Sequence, residues 1–165
     1  MPRRIIRDQR VTEDRWEHLA DDAPLPPQGD VTVSLARWGS EREALRGFAG
    51  RLGVRVPNTA DIEEIAVNVL DRPLICLEFP AFGDGRAFTQ ARLLRERLGY
   101  KGELRAIGDV ARDQLWYMQR CGFDSYDPRP DRDIGEALKA FTEITATYQG
   151  AADGRVTIFA RRAAH

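Results

Sequence analysis

From Arg72 to Asp127 the chain spells strand, loop and helix three times in succession, and few folds accommodate that rhythm. Residues 74–79, 104–107 and 123–126 are short apolar runs bounded by turn residues. Between them, Ala87, Ala91, Leu94 and Leu98 recur on one helical face that Gly99 closes. Asp109 is expected to cap a further helix, which runs to about Arg120 and stops at Gly122. Strands alternating with helices imply right-handed crossovers and a mostly parallel sheet. Strands of such sheets are normally near-continuous apolar runs, because helices cover both faces. Here Glu78 interrupts one strand and Arg105 the next. A carboxylate and a guanidinium so placed need a partner, water or a ligand, and the expectation is that they pair across adjacent strands. Such a pair is weak support for stability, because desolvation opposes the Coulomb gain.

The same rhythm extends upstream. Residues 31–38 read as a strand, Ser40 caps a short helix to Phe48 with Glu43 at the capping-box position, and 52–57 form a second strand. Asn58 or Thr59 opens a helix in which Ile62, Ile65, Ala66 and Val69 fall on one stripe. Pro128 and Pro130 lead into a helix over about 131–141. Residues 3–19 read as a β-hairpin turning at Asp8–Arg10, and the proline-rich stretch 21–30 as its linker to the main body. Alternating apolar positions in the tail, 142–165, predict a C-terminal hairpin. The expected whole is one α/β domain of about five βα units between two hairpins. Val54 and Val56 share a strand face opposite Arg55, so one sheet face is better buried than the other. A half-barrel-like or one-sided sheet fits that asymmetry, and a flavodoxin-like sheet is the competitor. A chain of 165 residues is too short for an eight-unit βα barrel.

Composition narrows function mainly by exclusion. Lys+Arg of 25 against Asp+Glu of 26 gives no net field for nucleic acid or an anionic membrane. No apolar run approaches the length of a membrane span, and residues 1–7 carry no signal-peptide core, so a cytoplasmic location is expected. Cys76 and Cys121 form no CxxC pair and read as packing residues. There is no GxGxxG, Walker loop or HExxH, and the two histidines, His18 and His165, support neither a metal site nor a triad. No cofactor and no metal are therefore expected.

Ligand sites of open parallel sheets lie beyond the carboxyl ends of the strands. The loop 80–86 there ends in Asp84-Gly85-Arg86, whose arginine stands at a helix start and suits an oxyanion. The plainer reading is that Asp84 caps the helix while Arg86 lies in solvent. Gly108-Asp109 and Arg112 repeat the arrangement one unit later, where Asp109 reads more naturally as a cap than as an acid. The candidate anion-binding set is thus Glu78, Asp84, Gly85, Arg86, Arg105, Asp109 and Arg112. Trp116 and Tyr117 read as a packing stripe, or as an interface if Trp116 faces outward.

Leu77-Glu78-Phe79-Pro80, Asp84-Gly85-Arg86, Gly102-Glu103-Leu104-Arg105-Ala106, Gly108-Asp109, Arg112-Asp113-Gln114 and Arg120-Cys121-Gly122-Phe123-Asp124 together resemble bacterial domain-of-unknown-function family 934. That family is labelled an oxidoreductase of sulfite reduction, and the resemblance is densest over 72–127. It implies a place in assimilatory sulfur metabolism and supplies no catalytic residues. Oxidoreduction needs a redox-active group, and no motif for one is present. The leading expectation is a non-redox accessory protein that docks on sulfite reductase or its electron donor, or holds a small oxyanion. The alternatives are an enzyme of sulfite reduction using Glu78, Arg86, Arg105 and Asp109, and a homodimeric scaffold.

Overall fold

A computed structural model describes residues 2–81 and 83–142. The strands are β1 (Arg4–Arg7), β2 (Arg10–Glu13), β3 (Trp16–His18), β4 (Asp30–Ser34), β5 (Arg51–Val56), β6 (Leu74–Phe79), β7 (Glu103–Gly108) and β8 (Ser125–Tyr126). They form one sheet in the order β2-β1-β8-β7-β6-β5-β4-β3. β3 to β8 run parallel in sequential order, whereas β1 pairs antiparallel with both β2 and β8. The helices are α1 (Leu35–Ser40), α2 (Arg42–Arg46), α3 (Ile62–Val69), α4 (Arg86–Arg92), α5 (Arg112–Cys121) and α6 (Ile134–Leu138).

Sequential order means that every crossover steps the same way, which places the helices on one face. The strand periodicity agrees. Val31, Val33, Val54, Val56, Ile75, Leu77, Leu104 and Ala106 join one core with Ile62 and Val69 of α3, Ala87 and Ala91 of α4, and Leu115 and Met118 of α5. The alternate positions point the other way and carry the polar residues. A flavodoxin-like sheet, which moves outward in both directions and takes helices on both faces, is ruled out by this order. The sheet also curls. Its outermost strands, β2 and β3, are joined only through Asp14 and Arg15, so its two edges must approach each other. The result is a curled half-barrel with its helix-free face inside.

Several boundaries move from their sequence expectation, each for a local reason. Residues 3–19 are no appendage: they supply three strands of the main sheet, with Trp16 opening a strand parallel to β4. The hairpin turn falls at Asp8 and Gln9, both with positive φ as a tight two-residue hairpin requires. The strand expected over 31–38 ends at Ser34, whose hydroxyl caps α1 by accepting the Arg37 N–H. Ser40 consequently closes α1 instead of opening the next helix. Asp61 and Asp133, not the residues upstream of them, cap α3 and α6, each accepting two backbone N–H groups. α5 starts at Arg112 behind Ala111, so Asp109 is not its cap. β8 keeps only two residues of the expected 123–126. The stripes on α3 and α4 fall as expected, with Ile62, Ala66, Val69, Ala87, Ala91 and Leu94 buried. Positive φ at Gly99 and Gly122 ends the helical segments before β7 and β8. The C-terminal hairpin expected over 142–165 lies almost wholly outside the described residues.

Candidate functional site

Register sets the chemistry of the inner face. Ser34, Arg55, Cys76, Arg105 and Ser125 stand in one row across β4 to β8. Glu78 is one step higher and opposite Ile107, so the expected Glu78–Arg105 pair is not formed. Among the described residues Glu78 makes no side-chain hydrogen bond or ion pair. Arg105 has found other partners. Its Nε donates to Ser125 Oγ (3.0 Å) and Glu103 Oε1 (3.2 Å), Nη2 to Glu103 Oε1 (2.7 Å) and Nη1 to Asp14 Oδ1 (2.9 Å). The side chains of Arg105 and Asp14 are each 1% exposed, making this a buried ion pair. Burial pushes the Asp14 carboxyl up, but Arg105, the Trp16 N–H and Arg3 outweigh it and hold the group below its usual range. Cys76, flanked by two arginines, stays a thiol because complete burial pushes it up to about 12.

The curl brings a second group of residues to the same interior. Arg3 Nη2 donates to Asp14 Oδ2 (2.7 Å), pairs with Asp127 Oδ2 (3.2 Å) and reaches His18 Nε2 (2.5 Å). An arginine only donates, so His18 Nε2 must be the acceptor and its proton sits on Nδ1, which donates to Thr32 Oγ1. The same hydroxyl accepts from Arg55 Nη1, while Arg55 Nη2 donates to the Leu19 carbonyl. Burial, reinforced by Arg3 and Arg55 and opposed by Asp14, brings His18 down to about 4 and keeps it neutral.

Above this network, at the carboxyl ends of β7 and β8, opens a cleft of about 630 Å³. Arg3 and Arg4 form one wall, Gly108 the floor, and the segment from Asp127 through Arg129 and Arg132 to Asp133 the other. Of its four arginines, Arg3 pairs with Asp14 and Asp127, Arg129 with Asp109 and Asp131, and Arg132 with Asp131 at 3.9 Å. Burial, opposed by Arg3, raises the Asp127 carboxyl. Asp133 is committed to capping α6. Gly108 has a φ of +90°, and a Cβ there would meet the Phe79 carbonyl oxygen at 2.5 Å, so only glycine fits this floor. Among the described residues, the exposed Arg4 guanidinium has no side-chain partner.

The residues expected from sequence are thus dispersed. Asp84 caps Arg86 and binds its guanidinium through both carboxylate oxygens, at 3.1 and 2.8 Å, so that loop neutralises itself in solvent. Gly85 precedes α4 and adds no side-chain cap. Asp109 stands at the cleft's edge, where it pairs with Arg129 at 3.1 Å. Arg112 donates to the Glu136 carbonyl and ties α5 to α6. Arg105 is interior. Sequence reasoning missed Arg3, Arg4, Asp14, His18, Arg129 and Arg132. A signal for Arg129 was present in the Pro128-Arg129-Pro130 triplet, which holds an arginine rigidly after a strand. Nothing local marks Asp14, whose partner Arg105 is 91 residues away.

No group of His, Cys, Asp and Glu suited to a metal ion occurs among the described residues, and no described helix is long and apolar enough to cross a membrane. A family model described as "Bacterial protein of unknown function (DUF934)" matches residues 53–159. That span takes in most of β5, all of β6 to β8 and the Gly108 and Asp127–Asp133 sides of the cleft, while Arg3 and Arg4 lie outside it. No curated protein and no solved structure matches the chain.

Proposed function

We propose that this chain, which belongs to the bacterial DUF934 family of unknown function, is an accessory protein that holds a small oxyanion, with sulfite reduction as its pathway. The observation carrying the reading is the cleft at the carboxyl ends of β7 and β8, where four arginines line one cavity. Parallel sheets present their ligand sites at that end. Guanidinium forks match the paired oxygens of sulfite, sulfate, phosphate and carboxylate. Arg4 brings donors that no described side chain occupies. The Asp84–Arg86 loop is a poorer seat, since its one arginine would first have to leave Asp84, whereas the cleft offers Arg4 without such a partner among the described residues. The pathway assignment rests on the resemblance set out above.

Calorimetric titration with sulfite, sulfate and phosphate tests the binding. One or more should bind, and Arg4→Ala or Arg132→Ala should weaken binding about tenfold, the loss of one charge-assisted hydrogen bond. Arg86→Ala should leave it unchanged. Absence of binding by every small oxyanion refutes the site. Deletion of the gene should slow growth on sulfate and be rescued by a reduced sulfur source; unimpaired growth on sulfate refutes the pathway.

A further inference from the structure

The arrangement around Arg3 bears on what form of anion the cleft takes, given the reading of that cleft as an oxyanion site. We propose that the cleft binds its oxyanion together with a proton: Arg3 leaves Asp14 for the anion, and His18, protonated at Nε2, replaces it at Asp14. The ligand class is then a divalent oxyanion, taken up together with one proton that resides on His18.

A single atom carries the geometry. Arg3 Nη2 is shared by Asp14 Oδ2 (2.7 Å), Asp127 Oδ2 (3.2 Å) and His18 Nε2 (2.5 Å). Arg3 also lines the cleft, and its side chain is 44% exposed, so turning it outward requires no unpacking of the core. An anion seated against Arg3 and Arg4 would draw this guanidinium off its interior acceptors. Asp14 would keep Arg105 and the Trp16 N–H but lose both bonds at Oδ2, from Arg3 Nη2 and from Nε at 3.2 Å. His18 Nε2 would lose its donor.

The two abandoned atoms touch the same Nη2, so they stand no more than two hydrogen-bond lengths apart. Once the side chains close the gap that Arg3 leaves, a proton on Nε2 lets the imidazole donate to Asp14 Oδ2 while Nδ1 keeps Thr32. Charges balance throughout. The positive charge of Arg3 goes to the anion, the imidazolium restores a cation beside Asp14, and solvent supplies the proton. An N–H bond forms at Nε2, the acid in solvent that gives the proton loses its bond to it, and no other covalent bond changes.

Of the charged groups facing His18, the exchange moves only Arg3, while Arg55, Arg105 and Asp14 stay in place. Arg3 ahead of β1, Arg55 on β5 and Arg105 on β7 oppose its protonation, and Asp14 favours it; Asp127 acts through Arg3. Withdrawing Arg3 removes the largest cationic opponent and leaves Asp14 Oδ2 without a donor. In the unliganded protein burial and the arginines hold the imidazole down to about 4, so it is neutral before the anion arrives.

The test is calorimetric titration of the full chain with sulfate, which stays fully ionised over the range used, between about pH 5 and 8. The affinity should rise as pH falls, approaching about tenfold per pH unit, with about one proton taken up per anion in buffers of differing ionisation enthalpy. His18→Asn, whose amide can still serve Thr32, should bind sulfate with no such pH dependence. In the unaltered protein, sulfate should shift the His18 imidazole resonances to the charged form, with His165 as internal reference. Sulfate binding that is independent of pH and leaves the His18 resonances unmoved overturns the exchange while leaving the anion site intact. No sulfate binding at any pH overturns both. If His18→Asn fails to fold, the imidazole resonances of the unaltered chain decide.

Discussion

Arg105→Met removes the centre of the interior network while keeping the aliphatic stem that packs beside Cys76. The side chain is 1% exposed, so water cannot take over the role of the lost guanidinium without opening the curled sheet. Two carboxylates lose their cation unequally. Asp14 retains Arg3 and the Trp16 N–H, whereas Glu103 retains only Arg7 at 3.9 Å, with 15% exposure to solvent. Breaking a buried ion pair costs about 3–5 kcal/mol, and the surviving contacts put this one near the lower end, about 3 kcal/mol. For a chain of this size that lowers Tm by about 6–12 °C. Urea unfolding should show the loss as a reduced midpoint at unchanged m. Asp14→Asn keeps the acceptor for the Trp16 N–H, so combining it with Arg105→Met isolates the ionic part. The double variant should cost about 1–3 kcal/mol less than the sum of the singles. A loss under about 1 kcal/mol for Arg105→Met, or additivity within about 0.5 kcal/mol, would mean that the interior is solvated and that the pair organises nothing.

His18 predicts the direction of acid sensitivity. Its folded value of about 4 lies below the unfolded 6.5, so its contribution is complete above about pH 6.5 and is lost as pH falls toward 4. The separation is worth up to about 3 kcal/mol, less what partial exposure screens, and His18→Asn should flatten that part of the stability–pH curve. Asp124, raised by burial against the Leu104 N–H and Arg95, has the opposite sign. Asp124→Asn should stabilise at neutral pH, and its advantage should vanish below the carboxylate range; destabilisation at neutral pH would refute this. Gly108→Ala should cost about 2 kcal/mol or more and weaken oxyanion binding, since both φ and the Phe79 carbonyl exclude a Cβ. Thermal melts that are unchanged would contradict the crowding at the cleft floor.

Legibility followed the range of the interactions. The strand 74–79 and the stripes on α3 and α4 could be read because each depends on residues within one or two turns. Caps were harder. Ser34, Asp61 and Asp133 compete with neighbouring Ser, Asn, Thr and Asp residues of equal local merit, and tertiary packing selects among them. Glu78 and Arg105 stand within β6 and β7, the strands in which the sequence places them, yet they do not pair. Side chains on adjacent strands meet only in register, and the register sets Cys76, not Glu78, opposite Arg105.

Sequence by itself determined the alternation of strand and helix, the one-sided burial of the sheet and the presence of charge on its other face. All three follow from local periodicity. The tertiary structure decided which charges meet. Asp14 reaches Arg105 only because β2 and β3, two residues apart in the chain, end up at opposite edges of a sheet that curls to bring them together. Arg3 and Arg4, at one end of the described chain, face Arg129 and Arg132 near the other for the same reason. A site assembled by sheet closure leaves no periodic trace along the chain, because its members share a place in space and no spacing in sequence.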